Sequence, residues 1–152
     1  VEAALSDVSG EATLHVTNGS EFSSLHRPRT DVAGDFGGQN VVARRVQVAS
    51  MRLEELFAEI SKRFEFRTPF LKLDTQGHDS RIVASSKDAV RQFVGLQSEL
   101  SFTEIYSGQP TYIESLRLYE SLGFRMVGFI QNNEGHFPAL IDTDCLMVNS
   151  SV

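Results

Sequence analysis

The stretch Asp74-Thr75-Gln76-Gly77 carries the most chemical information in the chain. It follows the apolar run Phe70-Leu71-Lys72-Leu73, so Asp74 stands at the end of a strand and partly out of water. A carboxylate so placed can position a hydroxyl or take its proton. Gly77 lets the backbone turn sharply or come close to a ligand. Read alone, these four residues also describe a commoner arrangement, a strand-end aspartate that caps the next helix. A second carboxylate, Glu99, falls near the end of the apolar run 94–100. If the two strands are neighbours, Asp74 and Glu99 look into one crevice. His78 lies in the same turn as Gly77. A neutral imidazole is a natural base near neutral pH, although a solvated loop histidine is the commoner role. With waters, Asp74 and Glu99 could hold Mg²⁺ and lower the pKa of a bound hydroxyl. His15, His26 and His136 show no ligand spacing among themselves. Cys145 sits inside an apolar strand and reads as a small core residue. No Gly-x-Ser-x-Gly elbow and no Ser/His/Asp set points to a hydrolase.

The elements that must position these groups follow from periodicity. Residues 11–16 and 41–49 alternate and can pair as an antiparallel ribbon, or form two unrelated edge strands. Between them, residues 17–40 hold Asn18-Gly19, Pro28, Gly34 and Gly37-Gly38, which reads as a long loop, either a mobile lid or an insertion. Leu53, Leu56, Phe57 and Ile60 form one apolar stripe, which places a helix over 51–60 with Ser50 as its cap. A strand over 70–73 is followed by a helix from about Asp79, which Ser85-Ser86 breaks. A buried strand covers 94–100. Pro110 opens a further helix as its first-turn proline, and Gly123 caps that helix at its end. Strands over 124–130 and 140–148 flank the turn Asn132-Asn133-Glu134-Gly135. Strand, helix, strand, helix, strand specifies an α/β sheet with right-handed crossovers, and the last two strands form an antiparallel edge pair. Ligands of such sheets sit beyond the carboxyl ends of the strands.

The whole chain has 152 residues, 41% hydrophobic and 22% charged, as expected of one soluble globular domain. No apolar run reaches the ~20 residues of a membrane-spanning helix, and no signal peptide is visible. Fourteen Lys and Arg against 20 Asp and Glu give a net charge of -6, the wrong balance for a nucleic-acid binder. One cysteine excludes an internal disulfide and a cysteine-based zinc cluster, and the expected compartment is a reducing cytoplasm.

A longer ordered set extends the Asp74 motif. Phe70-Leu71-Lys72-Leu73-Asp74-Thr75-Gln76-Gly77-His78-Asp79 is followed by Leu96-Gln97-Ser98-Glu99-Leu100-Ser101-Phe102, Tyr106-Ser107-Gly108-Gln109-Pro110, Leu122-Gly123-Phe124 and Asp144-Cys145-Leu146. Ala4-Leu5-Ser6-Asp7-Val8-Ser9-Gly10 and Arg52-Leu53-Glu54-Glu55-Leu56 precede it. In this order the pieces resemble the FkbM family of S-adenosylmethionine-dependent methyltransferases, over nearly the whole chain. The resemblance implies a class I, Rossmann-like sheet, mostly parallel, with strand order 3-2-1-4-5-7-6, and here an inserted β-ribbon. It implies methyl transfer from S-adenosylmethionine to a hydroxyl of a small molecule such as a sugar or polyketide. Ser6 and Asp7 would then lie by the adenine side of the donor, Asp74 and Gln76 near its methyl group or the acceptor, and Gly77 would join Gln76 among the donor-binding residues. Asp74 and His78 would serve the acceptor as catalytic groups, and Glu99 would line the substrate cleft.

The family also begins with a strand and a glycine-rich turn, which no segment here matches. The chain is therefore expected to be the C-terminal part of such a fold, without the half that supplies most donor contacts. The strand ending at Asp74 would become an exposed edge, with Phe70, Leu71 and Leu73 facing water or a second copy of the chain. The competing reading is a binding or assembly module that keeps the fold but not the donor site.

Overall fold

The computed structural model describes residues 2–31, 36–131 and 140–150. The expected turn at 132–135, His136 and Gly34 lie outside them. Among the described residues, two sheets and four α-helices are formed. The first sheet contains β1 (Ala4–Ser6), β2 (Gly10–Thr17) and β3 (Val42–Arg52) in the order β1-β3-β2. β2 and β3 pair antiparallel from Gly10↔Ser50 to Thr17↔Val42, the expected ribbon. β1 pairs parallel to the end of β3. Residues 7–9 therefore cross over that end, and β3 itself fixes them. Ser50 Oγ donates to the Val8 carbonyl at 2.9 Å, and the Arg52 amide donates to Ser9 Oγ at 3.1 Å.

This crossover corrects the expected start of the first helix. Pairing with β1 keeps residues 50–52 extended, so α1 runs over Leu53–Arg63. Ser50 is committed to the crossover and does not cap it. Leu53 enters the core, and Phe57 packs on Phe93 with ring centroids 4.8 Å apart.

The second sheet has the order β4-β5-β7-β6, from β4 (Phe70–Lys72), β5 (Gly95–Ser101), β6 (Phe124–Ile130) and β7 (Asp142–Asn149). β4 and β5 are parallel, while β7 runs antiparallel to both β5 and β6. Over the two sheets, two of the five described pairings are parallel, so the sheet is mixed where a mostly parallel one was expected. The physical reason lies in the connections. Helices bridge β4 to β5, α2 (Asp79–Ser85) and α3 (Lys87–Val90), and β5 to β6, the helix over Tyr112–Ser121, as crossovers between strands of one direction require, whereas β7 enters between β5 and β6 and runs against both. The break between α2 and α3 falls at Ser86, as its sequence suggests.

α4 (Tyr112–Ser121) packs behind the sheet. Its N-terminus is a capping box. The Glu114 amide donates to Thr111 Oγ1 at 3.3 Å, and the Thr111 amide donates to Glu114 Oε2 at 2.8 Å. Pro110 thus stands before the cap instead of in the first turn. Leu71, Leu73, Ile82, Leu96, Leu100 and Met147 lie in the core. The expected apolar edge is corrected accordingly: Leu71 and Leu73 are 6% and 2% exposed, and only Phe70, at 48%, faces outward. β5 and β7 alternate strictly. Leu96, Ser98 and Leu100, with Thr143, Cys145 and Met147, turn toward the helices, and Gln97, Glu99, Asp142 and Asp144 occupy the opposite face.

Residues 17–40 are a folded strap instead of a free lid over their described part. His15 and Ser24 exchange backbone hydrogen bonds of 2.8 and 3.2 Å. The Arg29 amide donates to the Ile105 carbonyl at 2.7 Å, and the Ser107 amide to the Arg27 carbonyl at 3.0 Å. Phe36 packs on a small second core with Ile105, Tyr106 and Ile141. These bonds satisfy backbone groups that would otherwise lack partners where the strap crosses the body.

Candidate active site

The alternation of β4, β5 and β7 builds an acidic cleft on the face of the second sheet away from α4. Lys72 pairs with Gln97 across β4 and β5, so Asp74 and Glu99, two residues further on, fall side by side. Glu99 lies directly opposite Asp144 on β7. Asp74, Glu99, Asp142 and Asp144 thus line one cavity of about 340 Å³ with Lys72 and Gln76, and Glu21 and Phe22 of the strap close it. The sequence places the crevice beyond the strand ends; the structure opens it across the polar sheet face.

Gln76 ties the two expected carboxylates together. Its Nε2 donates to Asp74 Oδ1 at 3.0 Å and to Glu99 Oε2 at 3.2 Å. The Tyr106 hydroxyl donates to Gln76 Oε1 at 2.7 Å, which fixes the amide with its donors toward the acids. Gln76 holds a left-handed backbone (φ 53°), a conformation that costs a non-glycine residue free energy. Lys72 Nζ stands 3.6 Å from Asp74 Oδ2. Asp74 therefore caps no helix. Burial, together with the like charges of Asp142, Asp79, Asp74 and Asp144, pushes the Glu99 carboxyl up to about 8.

Asp79, which the sequence marks only as a helix start, holds the floor. It is buried. Its Oδ1 accepts from the Thr75 amide at 2.9 Å and from the Thr75 hydroxyl. Its Oδ2 accepts from Ser98 Oγ at 2.8 Å and from the Glu99 amide at 3.1 Å. One carboxylate thus locks the turn after β4 to β5. Gly77 (φ 87°) completes that turn, but its close approach is to protein: a Cβ there would lie 2.8 Å from the Tyr106 ring.

Ser6, Asp7 and His78 come together elsewhere, in a second polar cluster. His78 Nε2 lies 3.2 Å from Ser6 Oγ and 3.4 Å from Asp7 Oδ1. His78 Nδ1 shares a 2.9 Å hydrogen bond with Nε2 of His26, a strap residue. Both rings are buried. Desolvation and the charge of His78 push His26 down to about 4, and desolvation also lowers His78 despite Asp7. The rings are therefore uncharged near neutrality. His78 is no solvated loop histidine, and both its nitrogens already have partners. Ser24 Oγ, from the strap, donates to the Gln76 carbonyl at 2.6 Å and links the cluster to the cleft.

Among the described residues, no group of three or more His, Cys, Asp or Glu side chains is arranged to hold a metal ion. Cys145 is buried in β7, and desolvation raises its thiol to about 12, as suits a core residue.

The sequence profile of the Methyltransferase FkbM domain matches residues 1–126. The chain belongs to the FkbM methyltransferase family. No curated relative and no solved structure matches it. The FkbM match spans Ser6, Asp7, Asp74, Gln76, Gly77, His78 and Glu99, whereas Asp142 and Asp144 lie beyond it. Asp144 stands in the piece Asp144-Cys145-Leu146 without a site role from it, and Asp142 falls outside every piece. Their Asp-x-Asp spacing in an alternating strand is the signal that puts both on one face.

Proposed function

We propose that this FkbM chain transfers a methyl group from S-adenosylmethionine to a hydroxyl of a small molecule, such as a sugar or a polyketide. The observation that carries this reading is the convergence of Asp74, Gln76 and Glu99 on one cleft. The strand order β4-β5-β7-β6, equal to the 4-5-7-6 end of the order expected for the family, supports it.

The donor brings an electrophilic methyl on a cationic sulfonium. The described residues fit that charged end. The cleft gathers Asp74, Glu99, Asp142 and Asp144, and its volume lies at the low end of small-molecule sites, ~300–1,000 Å³. Of the four residues expected to hold the donor, Gln76 lines this cleft. Ser6 is engaged with His78, Asp7 keeps an exposed edge beside it, and Gly77 faces Tyr106. Donor contacts are therefore assigned to Gln76 and Asp7 only.

O-methylation requires the acceptor hydroxyl to be oriented and to lose its proton. Asp74, held by Gln76 and Lys72, accepts a hydrogen bond from that hydroxyl and orients it. Glu99 takes the proton, because an acid poised near 8 is a competent base just above neutral pH. Gln76, fixed by Tyr106, keeps the two carboxylates apart in role. His78, with both nitrogens engaged, positions the turn and β1 relative to each other.

Calorimetric titration of S-adenosylmethionine into the full chain tests the reading. Micromolar binding that weakens about tenfold or more in Gln76→Ala supports it. Absent binding, or binding indifferent to that change, contradicts it and favours the binding module.

A further inference from the structure

We propose that the paired rings of His26 and His78 form an acid-operated latch. When both rings are protonated, the strap lets go of the turn after β4, and the wall that Glu21 and Phe22 put across the cleft loosens. The latch needs no ligand and does not rest on the methyl-transfer reading.

The geometry of the pair sets the rule. His78 Nδ1 and His26 Nε2 lie 2.9 Å apart, with the ring centroids 4.8 Å apart. A bond between two imidazole nitrogens carries one proton, so one ring must offer its lone pair. A single added proton is tolerated. His78 Nε2 stands 3.4 Å from Asp7 Oδ1, and a carboxylate supports one imidazolium. A second proton leaves N–H facing N–H across a buried contact, with two positive charges, and the rings must part. The surroundings do not rescue the doubly charged pair. From the crossover after β1 comes Asp7, with the neutral Ser6. From α2 come Asp79 and Arg81. Asp79 already accepts from Thr75, Ser98 and the Glu99 amide, and Arg81 repels both rings. From the loop before α4, the Ser107 backbone hydrogen-bonds His26 and brings no charge.

The strap is the side that yields. The turn is locked from below by Asp79, and Gly77 is wedged against Tyr106. The strap holds that turn through His26 and through Ser24, whose Oγ donates to the Gln76 carbonyl at 2.6 Å. The two holds are coupled, because the His26 amide donates to Ser24 Oγ at 3.0 Å. Displacing His26 therefore draws Ser24 off Gln76, and the wall residues Glu21 and Phe22 lie just ahead of Ser24 in the chain. Release falls below the ordinary histidine value of 6.5, toward the value of about 4 to which burial pushes His26.

Hydrogen exchange of the full chain, read amide by amide by NMR at about pH 7 and about pH 4 and corrected for the intrinsic pH dependence of exchange, tests the latch. The Ser24 and His26 amides are expected to lose protection on the order of tenfold, while those of β5 and β7 keep theirs. In His26→Gln, whose side chain takes up no proton, the strap should stay protected at the lower pH. Nitrogen NMR of the histidine rings in the unmodified chain adds a readout that needs no variant. Strap opening should follow the second ring protonation and not the first. Three results overturn the proposal: a strap still protected with both rings charged, a loss shared equally by β5 and β7, or the same strap opening in folded His26→Gln. Opening while the rings still share one proton overturns it as well.

Discussion

Glu99 governs how the cleft responds to pH. It holds its proton more tightly in the fold than in the unfolded chain, because burial disfavours its charged form and the like charges of Asp142, Asp79, Asp74 and Asp144 add to that. Its contribution to stability is therefore whole below the ordinary glutamate value of 4.5 and is lost as pH rises through about 8. Glu99→Gln is expected to flatten the alkaline side of the stability profile, gaining on the order of 2 kcal/mol over the parent by about pH 9. Urea unfolding at a series of pH values measures this, and parallel profiles would speak against it. His26 acts on the acid side. Its lowered value means that stability present above 6.5 is lost as pH falls toward about 4, and His26→Gln should blunt that loss in the same measurement. Asp79 holds the turn through both its oxygens. Asp79→Ala leaves the Thr75 and Glu99 amides and the Ser98 hydroxyl without their acceptor, and should cost about 3 kcal/mol in denaturant unfolding. A loss below about 1 kcal/mol would mean that the turn is held some other way.

At the scale of elements, the turn after β4 depends on Gly77. Gly77→Ala meets both a left-handed backbone and the Tyr106 ring, so a loss of at least ~2 kcal/mol is expected, readable as a lowered Tm. An unchanged Tm would show that Tyr106 moves aside freely. Much of this layer was legible in the residues. Alternation marked β2 and β3, the stripe Leu53, Leu56, Phe57, Ile60 marked α1, and Ser85-Ser86 marked the break before α3. The misreadings share a cause, which is that tertiary partners redirected local signals. Ser50 looks like a cap, but its hydroxyl holds the Val8 carbonyl. The glycine-rich strap looks loose, but Arg27, Arg29 and Ser24 are bonded to distant segments. Asp74 and Glu99 could be placed together from strand ends alone. The pairing of His26 with His78 joins residues 52 positions apart, and no local pattern announces such a contact.

Across the whole molecule, the strap ties the two sheets together. The β4-β5-β7 face carries the acidic cleft, and Glu21 and Phe22 of the strap contribute a wall to it. The strap therefore fixes the cleft's outer rim with Glu21 and Phe22 and connects it through Ser24 and His26 to the turn bearing Gln76 and His78. Among the described residues, no helix is long and apolar enough to cross a membrane.

Titrating S-adenosylmethionine into the isotope-labelled full chain, followed amide by amide by NMR, locates the ligand without any knowledge of the acceptor. The largest shifts are expected at Thr75, Gln76, Gly77 and Glu99, with a smaller set at Asp7. Shifts confined to other surfaces, with the Asp74 turn and Glu99 silent at saturation, would contradict the assignment of the acidic cleft as the reaction site.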